Sequence, residues 1–164
     1  MTADPATCVA FTGHRTYDGS ADAALRAMIA DLRARGLRTF LCGMAVGFDL
    51  AAAEAVLACR STMPELRLIA VVPFRGQENR YPTAERERYR RILAAADETV
   101  VLAPAYRTGC YLVRNDYLVA HAATLVAWYD GTPGGTRYTV QRALHRRLEF
   151  IQLHRPEARE QRLF

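Results

Sequence analysis

The chain has 164 residues, of which 51% are hydrophobic and 24% charged, a balance typical of one soluble globular domain. This composition excludes a disordered tail, a coiled coil and a collagen-like repeat. The net charge of +5 favours an anionic partner, but every basic residue is arginine, a bias typical of a GC-rich coding sequence. The charge is therefore weak support for nucleic-acid binding.

Short apolar runs alternate along the chain with longer segments of helical periodicity. The predicted strands, nearly all apolar as in a parallel sheet covered on both faces, are Cys8–Phe11, Thr39–Cys42, Leu68–Val72, Thr99–Leu102, Leu125–Tyr129 and Phe150–Leu153. The predicted helices between them are Ala21–Arg35, Leu50–Cys59, Thr83–Ala95, Cys110–Ala122 and Thr136–Arg147. This alternation predicts a doubly wound α/β fold, with a mostly parallel sheet flanked by helices. We predict one domain over residues 1–164, with a core at about 7–153 and a C-terminal tail at 154–164.

In such a fold, ligands bind beyond the carboxyl ends of the strands, near the point where the winding direction reverses. The loop after the first strand offers Gly13 for a sharp exit, with His14 and Arg15 placed to face an anion. An exposed arginine and a histidine bonded to backbone are an equally open interpretation.

The loop after the second strand places Gly43, Met44 and Gly47 directly before a helix. Glycines at a strand-to-helix turn let backbone N–H groups approach phosphate, which the helix dipole also favours. Asp49 is predicted either to bind ribose hydroxyls or to cap the helix. Glu54 is either a solvated glutamate or a carboxylate whose side chain is directed into the cleft.

The third and fourth loops are more polar. Gln77 lies in a surface loop that is predicted to cover a pocket. Arg114 and Asn115 stand in an otherwise apolar helix, where they indicate either a polar pocket wall, for phosphate and for base or ribose, or an intrahelical network.

The loop after the fifth strand is a second glycine-rich turn into a helix. Its candidate ligand-binding residues are Asp130, Gly131, Gly134, Gly135 and Thr136. Two such turns at strand ends of one small sheet favour a pocket for a nucleotide-type small molecule.

Cysteine spacing and hydropathy exclude several other classes. The four cysteines, Cys8, Cys42, Cys59 and Cys110, form no C-x-x-C pair, so we expect reduced thiols, no metal site and no cofactor. The segment Met1 to Thr7 has no apolar run, and the longest uncharged run, Tyr117 to Tyr129, is too short to span a bilayer. We therefore expect a cytoplasmic protein with no membrane partner.

Several motifs together resemble the YpsA-like branch of the SLOG superfamily. They are Phe11-Thr12-Gly13-His14-Arg15, Cys42-Gly43-Met44-Ala45-x-Gly47-x-Asp49, Ala52-Ala53-Glu54, Pro73-Phe74-x-Gly76-Gln77, Gly109-Cys110 with Arg114-Asn115, and Tyr129-Asp130-Gly131-x-Pro133-Gly134-Gly135-Thr136. The resemblance implies a Rossmann-like fold with a pocket for nucleotides or relatives of ADP-ribose. It also makes a homodimer the default oligomer.

Two related groups bracket the function. LOG-type phosphoribohydrolases cleave the N-glycosidic bond of nucleoside monophosphates and carry a glutamate after P-G-G-x-G-T, where this chain has no carboxylate. The DNA-processing protein DprA binds single-stranded DNA, and its R-N-R pattern is similar to Arg114-Asn115-Asp116. Tyrosines that could stack on bases, or equally be packing residues, are Tyr81, Tyr89, Tyr106, Tyr111 and Tyr138.

The leading hypothesis is a nucleotide-binding sensor or regulatory module. Backbone N–H groups at Gly43–Gly47 and Gly134–Thr136 would hold phosphate in it. Arg15 and Arg114 would neutralise charge, Asp49 and Asn115 would contact ribose or base, and Gln77 would close the pocket. The alternatives are a nucleotide N-glycosidic or phosphoester hydrolase that uses Glu54 or Asp49, and single-stranded DNA binding.

Overall fold

A computed structural model describes residues 3–156, and only residues 154–156 of the predicted tail fall within that range. The strands are β1 (Cys8–Gly13), β2 (Thr39–Cys42), β3 (Arg67–Val72), β4 (Glu98–Val101), β5 (Thr124–Trp128) and β6 (Glu149–Gln152). The helices are α1 (Asp22–Ala34), α2 (Phe48–Arg60), α3 (Thr83–Ala95), α4 (Cys110–Ala120) and α5 (Gly135–His145). Two short 3-10 turns, not predicted from the sequence, span Pro5–Thr7 and Gln77–Arg80.

The six strands form one parallel sheet in the order β4-β3-β2-β1-β5-β6. The chain winds outward from β1 to β4, then returns to pair β5 with the free side of β1 and continues to β6. The winding therefore reverses between β1 and β5, which is where a cleft is expected in a doubly wound fold. The predicted Rossmann-like α/β fold is confirmed.

Helices cover both faces of the sheet. On one face, α1, α2 and α3 pack over a core that contains the stacked rings of Phe11 and Phe40, with centroids 5.6 Å apart. On the other face, α4 and α5 pack over small and branched side chains such as Ala10 and Val71. Burying side chains on both faces is what makes the inner strands continuously apolar.

One boundary differs from the predicted one in a way that matters for the site. Strand β1 runs two residues further than predicted, because Thr12 and Gly13 pair with Ala127 and Trp128 of β5. The loop that carries the first candidate residues therefore starts only at His14. The edge strands β4 and β6 are partly exposed rather than fully apolar, since each has a neighbour on one side only.

No helix within residues 3–156 is long and apolar enough to cross a membrane. In the same range, no three histidine, cysteine or acidic side chains converge as a metal site would require. Cys8, Cys42 and Cys110 are buried free thiols, and Cys59 is half-buried.

Candidate functional site

A cleft of about 670 Å³ opens at the carboxyl ends of β1 and β5, where the winding reverses. Loops that follow β1, β2, β3 and β5, together with α4, contribute to its walls. The predicted site residues that line it are Gly13, His14, Arg15, Asp49, Gln77, Arg114, Asn115, Asp130, Gly134, Gly135 and Thr136. Gly43, Met44, Gly47, Gly131 and Glu54, which were also predicted, do not line it.

Gly13 and Gly47 are required for close packing between the first two loops. A Cβ atom on Gly13 would lie 2.4 Å from the Phe48 side chain. Gly47 has a φ of +92°, and a Cβ there would lie 2.6 Å from the carbonyl oxygens of His14 and Arg15. These two glycines therefore allow the first two loops to pack closely against each other. Gly47 was predicted from the sequence to allow the close approach of a ligand.

Two backbone donors of the first glycine turn, and the first N–H of α2, have partners within the protein. The Met44 N–H donates to the Cys42 thiol at 3.4 Å, and the Ala45 N–H donates to Asp49 Oδ2 at 3.2 Å. The Phe48 N–H donates to the His14 carbonyl at 3.2 Å. The Met44 and Ala45 N–H groups of the phosphate cradle predicted at Gly43–Gly47 are therefore already engaged.

Met44 is one of two non-glycine residues among residues 3–156 with a positive φ, here +64°. A conformation of this kind is strained and persists only where its surroundings fix it. The Tyr81 hydroxyl donates to the Met44 carbonyl at 2.9 Å, and the Met44 side chain is fully buried. Tyr81, one of the tyrosines considered for stacking on bases, also lines the cleft.

Arg114 and Gln77 are both directed at one backbone carbonyl, that of Gly43. Gln77 Nε2 donates to this oxygen at 3.1 Å, and Arg114 Nη1 donates to it as well. Arg114 Nε donates to Asn115 Oδ1 at 2.8 Å. The guanidinium therefore holds the Gly43 loop and the Asn115 side chain in place, and Arg114 is only 6% exposed.

Asp49 is a buried carboxylate in the first turn of α2. Its Oδ2 accepts from the Ala45 N–H of the preceding loop, so it does not cap the helix in the predicted way, and Gly47 stands at the cap position. Within the described residues, Asp49 Oδ1 has no hydrogen-bond partner, and neither has Gln77 Oε1. Burial raises the pKa of Asp49 to about 6, against the lowering effects of the Arg114 charge and the Ala45 N–H. Two buried acceptor atoms on the cleft wall are thus unsatisfied, although buried polar atoms are normally bonded.

At the second glycine turn the helix end lines the cleft and is not capped by a side chain. Helix α5 begins at Gly135, and its cap residue Gly134 has a φ of +138° and no side chain to accept from the first-turn N–H groups. These N–H groups have no partner inside the helix and carry its positive dipole end. A Cβ on Gly135 would contact only Asn115 Nδ2, at 3.6 Å. The start of α5 therefore offers free donors to the cleft.

His14 and Asp130 connect the two strand ends at the reversal point. His14 Nε2 lies 2.8 Å from Asp130 Oδ1 and accepts from the Asp130 N–H at 3.1 Å. The Asp130 carboxylate also accepts from the Thr132 N–H and hydroxyl, at 2.9 and 2.6 Å, and these bonds lower its pKa. Both residues line the cleft, but their polar atoms are engaged in holding the loop after β5.

Arg15 is the exposed cation of the cleft. It lines the cavity, and it forms no ion pair within residues 3–156. Glu54, in contrast, lies in the second turn of α2, and its Oε1 accepts from Arg88 Nε of α3 at 2.9 Å. The structure does not bring Glu54 to the cleft.

Comparison with known proteins supports the same family as the sequence motifs. The model of the YspA SLOG family, YpsA, matches residues 10–152. A UPF0398 protein from Halalkalibacterium halodurans is 32% identical over 126 residues, which are 75% of this chain and 67% of that protein. The SPbeta prophage-derived protein YoqJ of Bacillus subtilis is 28% identical over 110 residues, 60% of this chain and 64% of YoqJ. The chain spans about two thirds of the length of these relatives.

Two solved structures share the fold. DNA processing protein A from Helicobacter pylori, described for its single-stranded DNA binding mode, has a TM-score of 0.67 at 18% identity and covers 94% of this chain and 68% of its own. The homologous protein from Streptococcus pneumoniae has a TM-score of 0.64 at 19% identity, over 91% of this chain and 50% of its own. At this identity the likeness concerns the fold alone. Since the family model covers nearly all of the residues from β1 to β6, the chain belongs to the YspA SLOG family.

Proposed function

We propose that the cleft between β1 and β5 binds a nucleotide or a nucleotide derivative such as ADP-ribose, and that the protein acts as a sensor or regulatory module. The observation that carries this proposal is the open N-terminus of α5 at the reversal point of the sheet. Free N–H groups at a helix N-terminus, in a crevice at this position of a doubly wound sheet, favour a phosphate group.

The charges and acceptors around the cleft fit the remaining parts of such a ligand. The exposed Arg15 guanidinium supplies a positive charge at the rim. The unsatisfied Asp49 Oδ1 and Gln77 Oε1 are acceptors for hydroxyl groups, which a ribose provides. Arg114 acts indirectly in this proposal, by fixing the Gly43 loop and the Asn115 side chain.

A pair of substitutions at Gly135 tests the phosphate position. A Cβ at Gly135 would make only an ordinary contact, with Asn115 Nδ2 at 3.6 Å, so both Gly135→Asp and the neutral, isosteric Gly135→Asn fit the backbone. We expect Gly135→Asp to weaken binding of AMP or ADP-ribose by about 2 kcal/mol, roughly thirtyfold, because the new carboxylate repels phosphate. Gly135→Asn keeps most of the affinity. Calorimetric titration measures both.

The same variants separate binding from folding. A carboxylate in the first turn of a helix stabilises it by roughly 0.3–1 kcal/mol, so Gly135→Asp should melt at the same temperature as Gly135→Asn or higher. A loss of affinity in a more stable protein cannot be a folding defect. Equal affinity of the two variants for every phosphate ligand would contradict the proposed phosphate position.

The ligand panel contains AMP, ADP-ribose, NAD and a short oligothymidine. Oligothymidine is included because the structural neighbour from H. pylori is described as binding single-stranded DNA. Binding of oligothymidine alone, with a steep loss of affinity as salt is raised, would replace the nucleotide proposal by a DNA-binding one.

A second candidate function, cleavage of the N-glycosidic bond of a nucleotide, is favoured by the state of Asp49. Its carboxyl lines the cleft, has a free oxygen, and has a pKa raised to about 6, so that it can hold a proton near neutral pH. Asp49 would protonate the departing base as the N-glycosidic bond breaks, while water adds to the anomeric carbon and releases the proton that restores the Asp49 carboxyl, giving free base and ribose 5-phosphate from AMP. Mass spectrometry of AMP incubated with the protein detects both products. If AMP binds but is recovered intact, cleavage is contradicted and the sensor function remains.

A further inference from the structure

Three aromatic side chains meet beside the mouth of the cleft, and we call Phe74, Tyr106 and Tyr111 the aromatic platform. They come from three separate segments, the loop after β3, the loop after β4, and the first turn of α4. The Phe74 ring lies 5.5 Å from that of Tyr106 and 5.8 Å from that of Tyr111, and the two tyrosine rings are 6.3 Å apart. Such contacts hold the rings together at the surface.

The platform is exposed, unlike the other tyrosines considered for stacking. Tyr106 is 63% exposed and Tyr111 is 45% exposed, whereas Tyr89 is buried in the core. Tyr81 and Tyr138 donate their hydroxyls to Met44 and Asp116, which engages them in the fold. A group of adjoining exposed rings is uncommon on a protein surface and marks a place where something binds.

The platform is continuous with the cleft. Tyr111 itself lines the cavity, and the Arg114 guanidinium lies 5.8 Å from the centre of its ring. The Arg75 N–H donates to the Ala103 carbonyl at 3.0 Å, which joins the loops after β3 and β4 and so fixes the rings relative to each other. The exposed side chains of Arg75 and Arg107 flank the platform in sequence.

We propose that this platform stacks on the base of the ligand, so that the protein selects nucleotides that carry a base over simple sugar phosphates. This inference rests on the proposed function, because the phosphate at α5 is what holds the ligand in the cleft. The π-face of an aromatic side chain accepts any base, and stacking is worth roughly tenfold or more in affinity when a single ring is removed. The platform therefore gives selectivity for the presence of a base rather than for its identity.

Tyr106 is the residue at which to test the inference, because it is the most exposed ring of the platform. Tyr106→Ala removes the ring and Tyr106→Phe keeps it, so the second variant is the matched control. We expect Tyr106→Ala to weaken AMP binding about tenfold and to leave ribose 5-phosphate binding unchanged, while Tyr106→Phe resembles the wild type for both. Thermal melting of each variant verifies that it is folded.

A spectroscopic readout accompanies the affinities. The fluorescence of 2-aminopurine riboside 5′-phosphate should be quenched on binding to the wild type and to Tyr106→Phe, and less so on binding to Tyr106→Ala. Equal loss of AMP and ribose 5-phosphate affinity in Tyr106→Ala, or no loss of either, would overturn the stacking role. If Tyr106→Ala loses neither affinity, the effect of Gly135→Asp on phosphate binding is unaffected, so the proposed function survives. If no phosphate ligand binds the wild type, both proposals fail.

Discussion

Asp49 makes the stability of this fold depend on pH, and Asp49→Asn measures by how much. Burial raises the pKa of its carboxyl from 3.8 to about 6. The native state therefore binds the proton more tightly than the unfolded chain does. The resulting stabilisation is fully present below pH 3.8 and is lost as the pH rises through about 6. At about 1.4 kcal/mol per pH unit, ionised Asp49 costs the folded state about 3 kcal/mol above pH 7.

Asparagine reproduces the protonated form at every pH, since it has no charge and its amide oxygen can accept from the Ala45 N–H. We expect Asp49→Asn to be up to about 3 kcal/mol more stable than the wild type at pH 8. At pH 4 the two proteins should differ much less. Urea denaturation at pH values from 4 to 8 gives the two free energies of unfolding.

The matched control is Asp31→Asn, at an exposed position of α1. Its stability should follow that of the wild type across the pH range. A difference between Asp49→Asn and the wild type that stays constant from pH 4 to pH 8 would refute the argument from burial. We also expect Asp49→Asn to weaken ligand binding, because proteins often retain a destabilising group where function requires it.

Two further predictions concern residues whose roles the structure separates. Gly47→Ala and Gly36→Ala both place a side chain at a φ near +90°, but only Gly47 also faces backbone atoms within 3 Å. We expect Gly36→Ala to lower the free energy of unfolding by roughly 1 kcal/mol and Gly47→Ala to lower it by roughly 1–3 kcal/mol more. Urea denaturation measures both. Equal losses would contradict the close approach of the His14 and Arg15 backbone to Gly47. Glu54→Gln should leave AMP affinity and any product formation unchanged. It should change the free energy of unfolding by less than about 1 kcal/mol, since its ion pair with Arg88 is at the surface. A loss of product in this variant would show that Glu54 takes part in the reaction.

Much of the fold followed from local patterns in the chain. The apolar runs of the inner strands and the glycines at helix ends were enough to place all six strands and five helices within about two residues. Boundaries moved where pairing decided them, as at Thr12 and Gly13, which belong to β1 because β5 lies beside them. A parallel neighbour far along the chain leaves no local trace in the sequence.

For the candidate site, the sequence located the loops but not the role of each residue in them. Both glycine-rich turns look alike in sequence, but in the first Asp49 and Cys42 accept from two backbone N–H groups, while the second places Gly134 and Gly135 on the cleft wall. Arg114 was expected at a phosphate, whereas its guanidinium is directed at the Gly43 carbonyl. Whether a donor is free depends on which atoms the rest of the fold places beside it.

The sequence by itself determined the fold class, the family and the loops in which a site would lie, because these depend on periodicity and on residue types that a single segment carries. Only the tertiary structure decided that Asp49 rather than Glu54 faces the cleft, and that Phe74, Tyr106 and Tyr111 form one surface. Those facts depend on distances between segments that are far apart in the chain. Such distances are set by the order of the strands in the sheet, which separates or joins residues irrespective of their spacing along the chain.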